Sequence, residues 1–258
     1  MKMKFEKIAY EIGENIENSI RSLINTERGR KIVKMGADGT PTKYIDYIAE
    51  KCIIDYIDDN DLPCELISEE IGRYRRGEKF KIIADPIDGT NNASYGIPFF
   101  SVSLAFYKEK TEFAFVKNLT NRDIFKADKH SYLNDRRIST HDSEIISLYT
   151  FSDVKPFLDI SKKIRNFGSQ ALELCFVACG RSKAFIDVRN RGRIIDVAAA
   201  KYIIEKAGGV FTDINGNDVN MNAKSFSFVA SCSNEVQTKI INIIKTRDTD
   251  ENRDGFKN

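Results

Sequence analysis

The chain has 258 residues, of which 41% are hydrophobic and 30% are charged, so it is long enough to bury a substantial core. Its 40 basic and 38 acidic residues leave a formal charge of +2, which argues against a surface built to hold nucleic acid. Neither a secretory signal nor a run of membrane-spanning length is evident. Five irregularly spaced cysteines are typical of reduced thiols, and we expect a cytoplasmic protein.

Apolar residues recur at intervals of three and four over residues 3–26, which predicts an amphipathic first helix. A second helix is predicted to begin with Thr40 as its cap and Pro41 in its first turn. The loop between them, residues 29–43, is rich in glycine and lysine. Two interpretations of this loop stay open: a lid that closes over a site about its glycines, or an ordinary surface loop.

Short apolar runs separated by turn signals come next, and they predict the strands of one sheet. The runs are CELIS, KFKIIA, FFSVSLAFY, EFAFVKN and DIFKAD, followed by a hairpin around Asn134 and Asp135. The second half alternates strands with helices, which favours layered helices and sheets. Its helices are predicted over residues 156–163, 169–179, 196–207 and up to about 245, and the charged end from about 247 is predicted to be frayed.

The two halves are not separated by a linker rich in Pro, Gly or Ser. We therefore place only a soft boundary near His141. It divides an N-terminal α+β lobe, residues 1–141, from a C-terminal α/β lobe, residues 142–258.

The stretch ADPIDGTNN, residues 84–92, sets two carboxylates around a proline and follows them with glycine and threonine. Because Pro86 cannot donate to a sheet ladder, the preceding strand is predicted to stop there. Asp85 then emerges at a strand end, where open α/β sheets bind ligands. A tight bend would bring Asp88 back beside it. Taken alone, however, DxxDG is more often a structural turn.

Two carboxylates held close together repel each other unless a proton or a cation lies between them. The available ligands are carboxylate and backbone oxygens without a nearby His or Cys, so they favour a hard cation such as Mg²⁺ or Mn²⁺ over zinc. Successive N–H groups of Gly89, Thr90 and Asn91 can receive a phosphate. A metal ion beside such an amide cradle predicts phosphoryl chemistry.

Two further acidic stretches strengthen this prediction. Glu69 and Glu70 end a second apolar run, and Asp196 opens a helix that closes at a pair of glycines. Each has an ordinary explanation by itself, namely a solvated helix start for the glutamates and an N-cap for Asp196. Three acidic clusters, each at the end of an element, together favour one shared site.

With these motifs in place, the chain resembles the inositol monophosphatase family, in particular its archaeal branch that also hydrolyses fructose 1,6-bisphosphate. The resemblance rests on SEE, DPIDGT and IDVAAAKYIIEKAGG in this order and spacing, and it extends from the first helix to the last. It implies an α+β fold, a layered αβαβα sandwich, and a homodimer. It also implies hydrolysis of a small sugar or inositol phosphate by water that Mg²⁺ activates.

The resemblance implies roles for single residues as well. The metal ligands would be Glu69, Asp85, the backbone carbonyl of Ile87, Asp88 and Asp196. The catalytic residues would be Glu69 together with Thr90 and Asp38, the last two positioning and deprotonating the attacking water. The backbone amides of Gly89 and Thr90 would hold the phosphate, and Asp187 would contact substrate hydroxyls.

Three positions depart from the family pattern, namely Asn91, Ala93 and Ile195. These positions affect the shape of the pocket more than the binding of a metal. The substrate preference is therefore less well defined than the type of reaction.

A sugar bisphosphate needs a second anion site, and the segment DVRNRGR supplies Arg189, Arg191 and Arg193. The planar fork of arginine suits a phosphate. Arg165 and Ser169, from the turn that precedes a predicted helix, are further substrate-binding candidates. Each arginine by itself is equally well explained as a solvated surface residue.

Two alternative functions stay open. One is a phosphatase of the same fold that acts on 3′-phosphoadenosine phosphate or NADP, which would need a pocket where a base can stack. The other is a non-catalytic metal- or phosphate-binding protein. Such a protein would be free to lose ligands, whereas every acid that the chemistry demands is present here.

Overall fold

The computed structural model describes residues 2–37, 39–220 and 222–254. Helices and strands alternate over most of this length. The α-helices are α1 (Lys2–Ile20), α2 (Glu27–Arg30), α3 (Tyr44–Asp59), α4 (Thr90–Tyr95), α5 (Gln170–Ala178), α6 (Ile194–Lys206) and α7 (Asn234–Asp254), and a 3₁₀ helix covers Lys155–Asp159.

A small hairpin and an eight-stranded sheet are formed by the first half of the chain. The hairpin consists of β1 (Ile32–Met35) and β2 (Pro41–Lys43). The strands of the sheet are β3 (Cys64–Ser68), β4 (Gly72–Arg75), β5 (Phe80–Asp88), β6 (Ser101–Tyr107), β7 (Thr111–Asn118), β8 (Ile124–Ala127), β9 (Ser131–Leu133) and β10 (Arg136–Arg137). Their order is β10-β9-β8-β7-β6-β5-β3-β4, and only the pair β3 and β5 is parallel among these described strands.

A five-stranded sheet is formed by the second half. Its strands are β11 (Ile145–Tyr149), β12 (Lys163–Arg165), β13 (Ala184–Gly192), β14 (Val210–Asp213) and β15 (Phe226–Ser231). The order is β12-β11-β13-β15-β14, in which β11 is parallel to both of its neighbours and β15 is antiparallel to both of its own.

The helices and sheets form five layers, and three hydrophobic cores lie between them. The first core lies between α1 and α3 and one face of the eight-stranded sheet, and the second holds α5 and α6 between the two sheets. The third lies between the five-stranded sheet and α7 with the 3₁₀ helix. Leu104 and Phe106 pack into the first core and Ala105 into the second, because successive side chains of a strand point to opposite faces. This order confirms the predicted αβαβα sandwich.

The beginning of the chain differs from the prediction in two places. The first helix ends at Ile20, and the turns that follow include Asn25, whose φ of 55° lies in the left-handed region. Pro41 lies in β2 opposite Met35, and the second predicted helix begins only at Tyr44. The pairing of the hairpin therefore outweighs the preference of proline for a first helical turn.

The end of the chain also differs. A 3₁₀ helix and then the strand β12 replace the helix predicted over residues 156–163. The last helix continues to Asp254, although its end was predicted to be frayed from about 247. Charge alone does not end a helix, and neither glycine nor proline interrupts residues 234–254 before Gly255.

The predicted boundary near His141 falls between the last strand of the first sheet and the first strand of the second. Because the second core contains residues from both halves, the two lobes share buried surface, and the division stays a prediction. None of the described helices combines the length and the apolar run that crossing a bilayer requires.

Candidate active site

Strand β5 continues through Pro86 and ends at Asp88, although the sequence predicted that it would stop at the proline. Asp85 pairs with Ser103 and Asp88 with Ser101, so three steps along β5 match two along β6. The extra residue forms a bulge. Pro86 lies in this bulge, where its missing N–H interrupts no regular ladder hydrogen bond.

A cleft of about 320 Å³ lies at this end of β5. It is lined by segments that are far apart in the sequence. The sequence-predicted residues that line it are Glu69, Asp85, Ile87, Asp88, Gly89, Thr90, Asn91, Arg189, Arg191, Arg193 and Asp196. The four carboxylates that were predicted to bind metal therefore share one cleft with the predicted phosphate-binding backbone and with the three arginines of the segment DVRNRGR.

The carboxylate of Asp88 is held at the N-terminus of α5. It accepts hydrogen bonds from the backbone N–H groups of Gln170, at 3.1 Å, and Ala171, at 2.7 Å. The hydroxyl of Ser169 also donates to it. Ser169, which was predicted to bind substrate, is fully buried, and in this structure it orients Asp88.

Asp196 lies in the first turn of α6, where it accepts the backbone N–H of Arg193 at 3.1 Å. The guanidinium of Arg193 donates to the same carboxylate, at 2.9 Å, and to Glu69, at 2.8 Å. Arg193 therefore joins two chain segments that are more than a hundred residues apart in the sequence.

The carboxylates in the cleft have raised pKa values. Burial, reinforced by the charges of Glu69, Asp88 and Asp196, raises the pKa of Asp85 well above its ordinary value. Burial likewise raises the pKa of Asp88 to about 7, although Ser169 and the amides of α5 favour its charged form. Burial also raises the pKa of Glu69 to about 7 against the opposing effect of Arg193. Crowded acids of this kind take up either a proton or a cation.

The donor set fits a hard divalent cation. Four carboxylates and Ile87, whose backbone carbonyl is the predicted ligand, line the cleft, and the described lining contains no His or Cys. As they stand, no three carboxylate, thiol or imidazole groups among the described residues are arranged closely enough to hold an ion. The guanidinium of Arg193, which lies between Glu69 and Asp196, already supplies a positive charge there.

Thr90 contacts an acid that the sequence motifs did not indicate. Its hydroxyl oxygen lies 2.8 Å from Asp46 Oδ1 and 3.0 Å from the carbonyl oxygen of Ile87. Burial raises the pKa of Asp46 to about 7. The overlooked signal is helical spacing, because Asp46 and Glu50 share the buried stripe of α3 with Ile53. Asp38, the predicted partner of Thr90, lies outside the described residues.

Gly89 has two reasons to be glycine. Its φ of 96° lies in the left-handed region, where other residues are strained. A Cβ atom there would also lie 3.1 Å from the carbonyl oxygens of Phe99 and Gly168. The backbone can therefore turn sharply into α4 immediately after Asp88.

Asp187 and Arg189 form a pair beside the cleft. The Arg189 guanidinium donates to the carboxylate of Asp187 through Nε, at 3.0 Å, and through Nη2, at 2.7 Å. Asp187 is fully buried and thus positions Arg189, whereas it was expected to meet substrate hydroxyls. Arg165 is exposed on the edge strand β12 and is not among the described residues that line the cleft.

The β1–β2 hairpin, the loop predicted to be either a lid or a surface loop, is docked beside the acidic pair. The N–H of Ala37 donates to the carbonyl of Glu70 at 3.1 Å, and the hydroxyl of Thr42 donates to the Glu70 side chain. Glu50 accepts the backbone N–H of Glu70 at 3.2 Å. Glu70 therefore anchors the hairpin while Glu69 faces the cleft.

Comparison with known proteins agrees with this arrangement. The model of the inositol monophosphatase family matches residues 1–248. A fructose-1,6-bisphosphatase/inositol-1-monophosphatase of Methanothermobacter thermautotrophicus is 35% identical over 92% of this chain and 95% of that protein. A bifunctional NADP phosphatase/NAD kinase of Methanococcus maripaludis is 35% identical over 95% of this chain, which spans only 50% of that relative.

A solved structure shows the same architecture. It is a hypothetical protein from Pyrococcus horikoshii with similarities to inositol-1 monophosphatase. It superposes with a TM-score of 0.86 at 30% identity, and the match covers 94% of this chain and 98% of that one. Family model, relatives and fold agree over nearly the whole length, so the chain belongs to the inositol monophosphatase family and is a phosphatase.

Proposed function

We propose that this phosphatase uses Mg²⁺ to hydrolyse fructose 1,6-bisphosphate and inositol 1-phosphate. One observation carries the proposal: four carboxylates from three separate segments line a single cleft together with three arginines. Oxygen ligands favour a hard cation, and the arginines favour a phosphorylated substrate. The relative from Methanothermobacter thermautotrophicus, which is named for both activities, supports this choice of substrates.

The residues proposed to hold Mg²⁺ are Glu69, Asp85, the carbonyl of Ile87, Asp88 and Asp196. When bound, the ion would act as a Lewis acid that polarises the phosphate and lowers the pKa of a water molecule. The backbone amides of Gly89 and Thr90 are proposed to hold the phosphate at the sharp turn into α4. Ser169 keeps Asp88 oriented through its hydroxyl.

Thr90 and Asp46 are proposed to orient the attacking water. The Thr90 hydroxyl donates its hydrogen to Asp46, so its lone pairs can accept a hydrogen bond from the water, and a proton can pass from the water to Thr90 as the Thr90 proton passes to Asp46. A carboxyl group whose pKa is about 7 can exchange that proton near neutral pH. Glu69 is proposed as a second acceptor, and the role predicted for Asp38 stays a prediction.

Arg189 and Arg191 are proposed to bind the second phosphate of a bisphosphate. Arg189 is held in place by Asp187, whereas Arg191 is exposed at the rim of the cleft. A homodimer remains part of the proposal on the basis of the family resemblance. Mn²⁺ is proposed as a substitute for Mg²⁺, because it accepts the same oxygen ligands.

A second candidate activity is the removal of a phosphate from a nucleotide. It is favoured by the relative from Methanococcus maripaludis, whose name includes NADP phosphatase and whose identity to this chain is also 35%. The same carboxylate cleft would serve both kinds of substrate.

A phosphate-release assay tests the proposal. The protein is incubated with fructose 1,6-bisphosphate or inositol 1-phosphate, in Mg²⁺ or in EDTA. We expect release that depends on Mg²⁺ with both substrates. If neither substrate releases phosphate in Mg²⁺, while the protein is folded by circular dichroism, the proposed substrates are wrong.

A further inference from the structure

An exposed aromatic side chain stands beside the arginines of the cleft. Phe151 is 69% exposed, which is unusual for a phenylalanine in a chain that buries most of its large apolar side chains. The guanidinium carbon of Arg191 lies 4.9 Å from the centre of its ring, and that of Arg189 lies 5.9 Å away. The two guanidinium groups thus contact a phenyl ring that stays largely exposed to solvent.

The sheet explains why Phe151 lies there. Strands β11 and β13 are parallel, and Tyr149 at the end of β11 pairs with Asp187. Phe151 and Arg189 each lie two residues farther along the chain, so both lie at the C-terminal end of these two parallel strands. Arg189 and Arg191 line the cleft, so Phe151 stands at its rim.

The chemistry of this rim suits a flat heteroaromatic ring. Purines stack on aromatic rings and on guanidinium planes, whereas a bare sugar phosphate presents mainly hydroxyl groups. A ribose phosphate joins both parts of the site, because its phosphate suits the carboxylate cleft and its base extends outward. The relative named as an NADP phosphatase acts on a substrate of this form.

We propose that Phe151 and Arg191 form a ledge on which the base of a purine nucleotide stacks while its ribose phosphate is hydrolysed in the cleft. The inference rests on the proposed phosphatase site and names the residues that would select a nucleotide as its substrate. In the reaction, the oxygen of water bonds to phosphorus and the P–O bond to the ribose breaks. The ribose oxygen takes up a proton, which leaves a nucleoside hydroxyl and inorganic phosphate.

The test compares Phe151→Leu with the unchanged protein on NADP⁺, 3′-phosphoadenosine phosphate and base-free glycerol 2-phosphate, all in Mg²⁺. Leucine keeps an apolar side chain but removes the aromatic face. We expect KM to rise about tenfold for at least one of the two nucleotides, with kcat unchanged. KM for glycerol 2-phosphate should stay within about twofold. The matched control is Leu158→Ala, which changes an exposed apolar residue of the 3₁₀ helix. It should leave all three KM values unchanged.

The outcomes separate the ledge from the phosphatase site. If the unchanged protein hydrolyses the base-free substrate or fructose 1,6-bisphosphate but neither nucleotide, the ledge is refuted and the phosphatase proposal stands. If Phe151→Leu leaves both nucleotide KM values unchanged, or raises all KM values equally, the ledge is also refuted. If no phosphate ester is hydrolysed at all, the proposed function itself fails, and the ledge fails with it.

Discussion

Arg193 bridges Glu69 and Asp196 through one guanidinium nitrogen, at 2.8 Å from the first carboxylate and 2.9 Å from the second. Both acids are proposed metal ligands. The guanidinium therefore lies where a divalent ion would bind, and it neutralises part of the negative charge that would attract the ion. Part of the mutual repulsion of the buried acids is therefore balanced by the protein itself. Binding of Mg²⁺ should require this bridge to open, since each carboxylate oxygen engaged by Arg193 is withheld from the ion.

The change Arg193→Gln should make the protein more dependent on metal. Without the guanidinium, the acids lose their nearby positive charge, so we expect a lower Tm in EDTA. The gain in Tm on addition of Mg²⁺ should be larger than in the unchanged protein, because the ion no longer competes with an arginine. Thermal unfolding in EDTA and in Mg²⁺, together with calorimetric titration of Mg²⁺, measures both effects.

The matched control is Arg165→Gln, which removes an exposed arginine outside the cleft. It should leave Tm in EDTA and Mg²⁺ affinity unchanged. A weaker affinity for Mg²⁺ in Arg193→Gln would contradict the competition and would instead mean that Arg193 positions the ligands for the ion.

Asp46 should be required for turnover rather than for metal binding. Its carboxylate accepts the Thr90 hydroxyl at 2.8 Å, so Asp46→Asn removes an acceptor for the proton of the attacking water. We expect kcat to fall about 10²- to 10⁴-fold, while Mg²⁺ affinity stays within a few fold. Thr90→Ser should keep most of the activity, and Thr90→Val should lose it. Retention of full kcat by Asp46→Asn but not by Asp38→Asn would assign the role to Asp38.

Asp88→Asn should abolish hydrolysis of both substrates. The carboxylate accepts the hydroxyl of Ser169 and two amides of α5, and it also faces the cleft. An asparagine has a single oxygen acceptor, so it cannot keep these bonds and bind a cation as well. We expect a loss larger than the roughly 100-fold that disturbance of a supporting contact costs. The control is Glu235→Gln on α7, which should keep full activity. Activity in Asp88→Asn would reject the assignment of Asp88 as a metal ligand.

The layered fold could be predicted because local patterns of apolar residues in the sequence indicate most of its helices and strands. Alternating apolar runs predicted β6 and β7, whose opposite faces belong to different cores. The start of α3 was mispredicted because Pro41 is a good first helical residue by local preference, whereas strand pairing decides its place. Such pairing depends on a neighbour in space, which local preference does not include.

The site was predictable only as far as its motifs reach. The spacing of Asp85 and Asp88 at a strand end indicated a shared site, and they do share a cleft. The contact between Thr90 and Asp46 crosses 44 positions, and no local pattern links the two residues. Ser169 was assigned to the substrate because of its place in the turn before a predicted helix, and Asp187 because the family resemblance implied it. Sequence alone could not show that each is buried against another side chain.

The metal-free protein should lose stability as the pH rises from about 4 to about 7. The pKa of Asp46 and that of Asp88 are about 7 in the folded protein, against an ordinary value of 3.8. In this window the folded state binds protons that the unfolded chain releases, so the free energy of unfolding falls with pH. Urea unfolding in EDTA at several pH values measures it. Asp46→Asn should make the dependence shallower, and rising stability across this window would contradict these pKa shifts.

Arg191 offers a cleaner test of the second phosphate site than Arg189. Removal of Arg189 would leave the fully buried carboxylate of Asp187 without its partner, so a loss of activity would be confounded by a loss of stability. Arg191 is exposed, and its change to alanine should leave Tm unaltered.

A charge-assisted contact to the second phosphate exists only for the bisphosphate. The Arg191→Ala change should therefore raise KM for fructose 1,6-bisphosphate about tenfold while KM for inositol 1-phosphate stays within about twofold. Steady-state kinetics with both substrates, at saturating Mg²⁺, gives the comparison. An equal rise in both KM values would mean that Arg191 contacts the phosphate that is hydrolysed, or acts through the general field of the cleft, and would remove it from the second phosphate site.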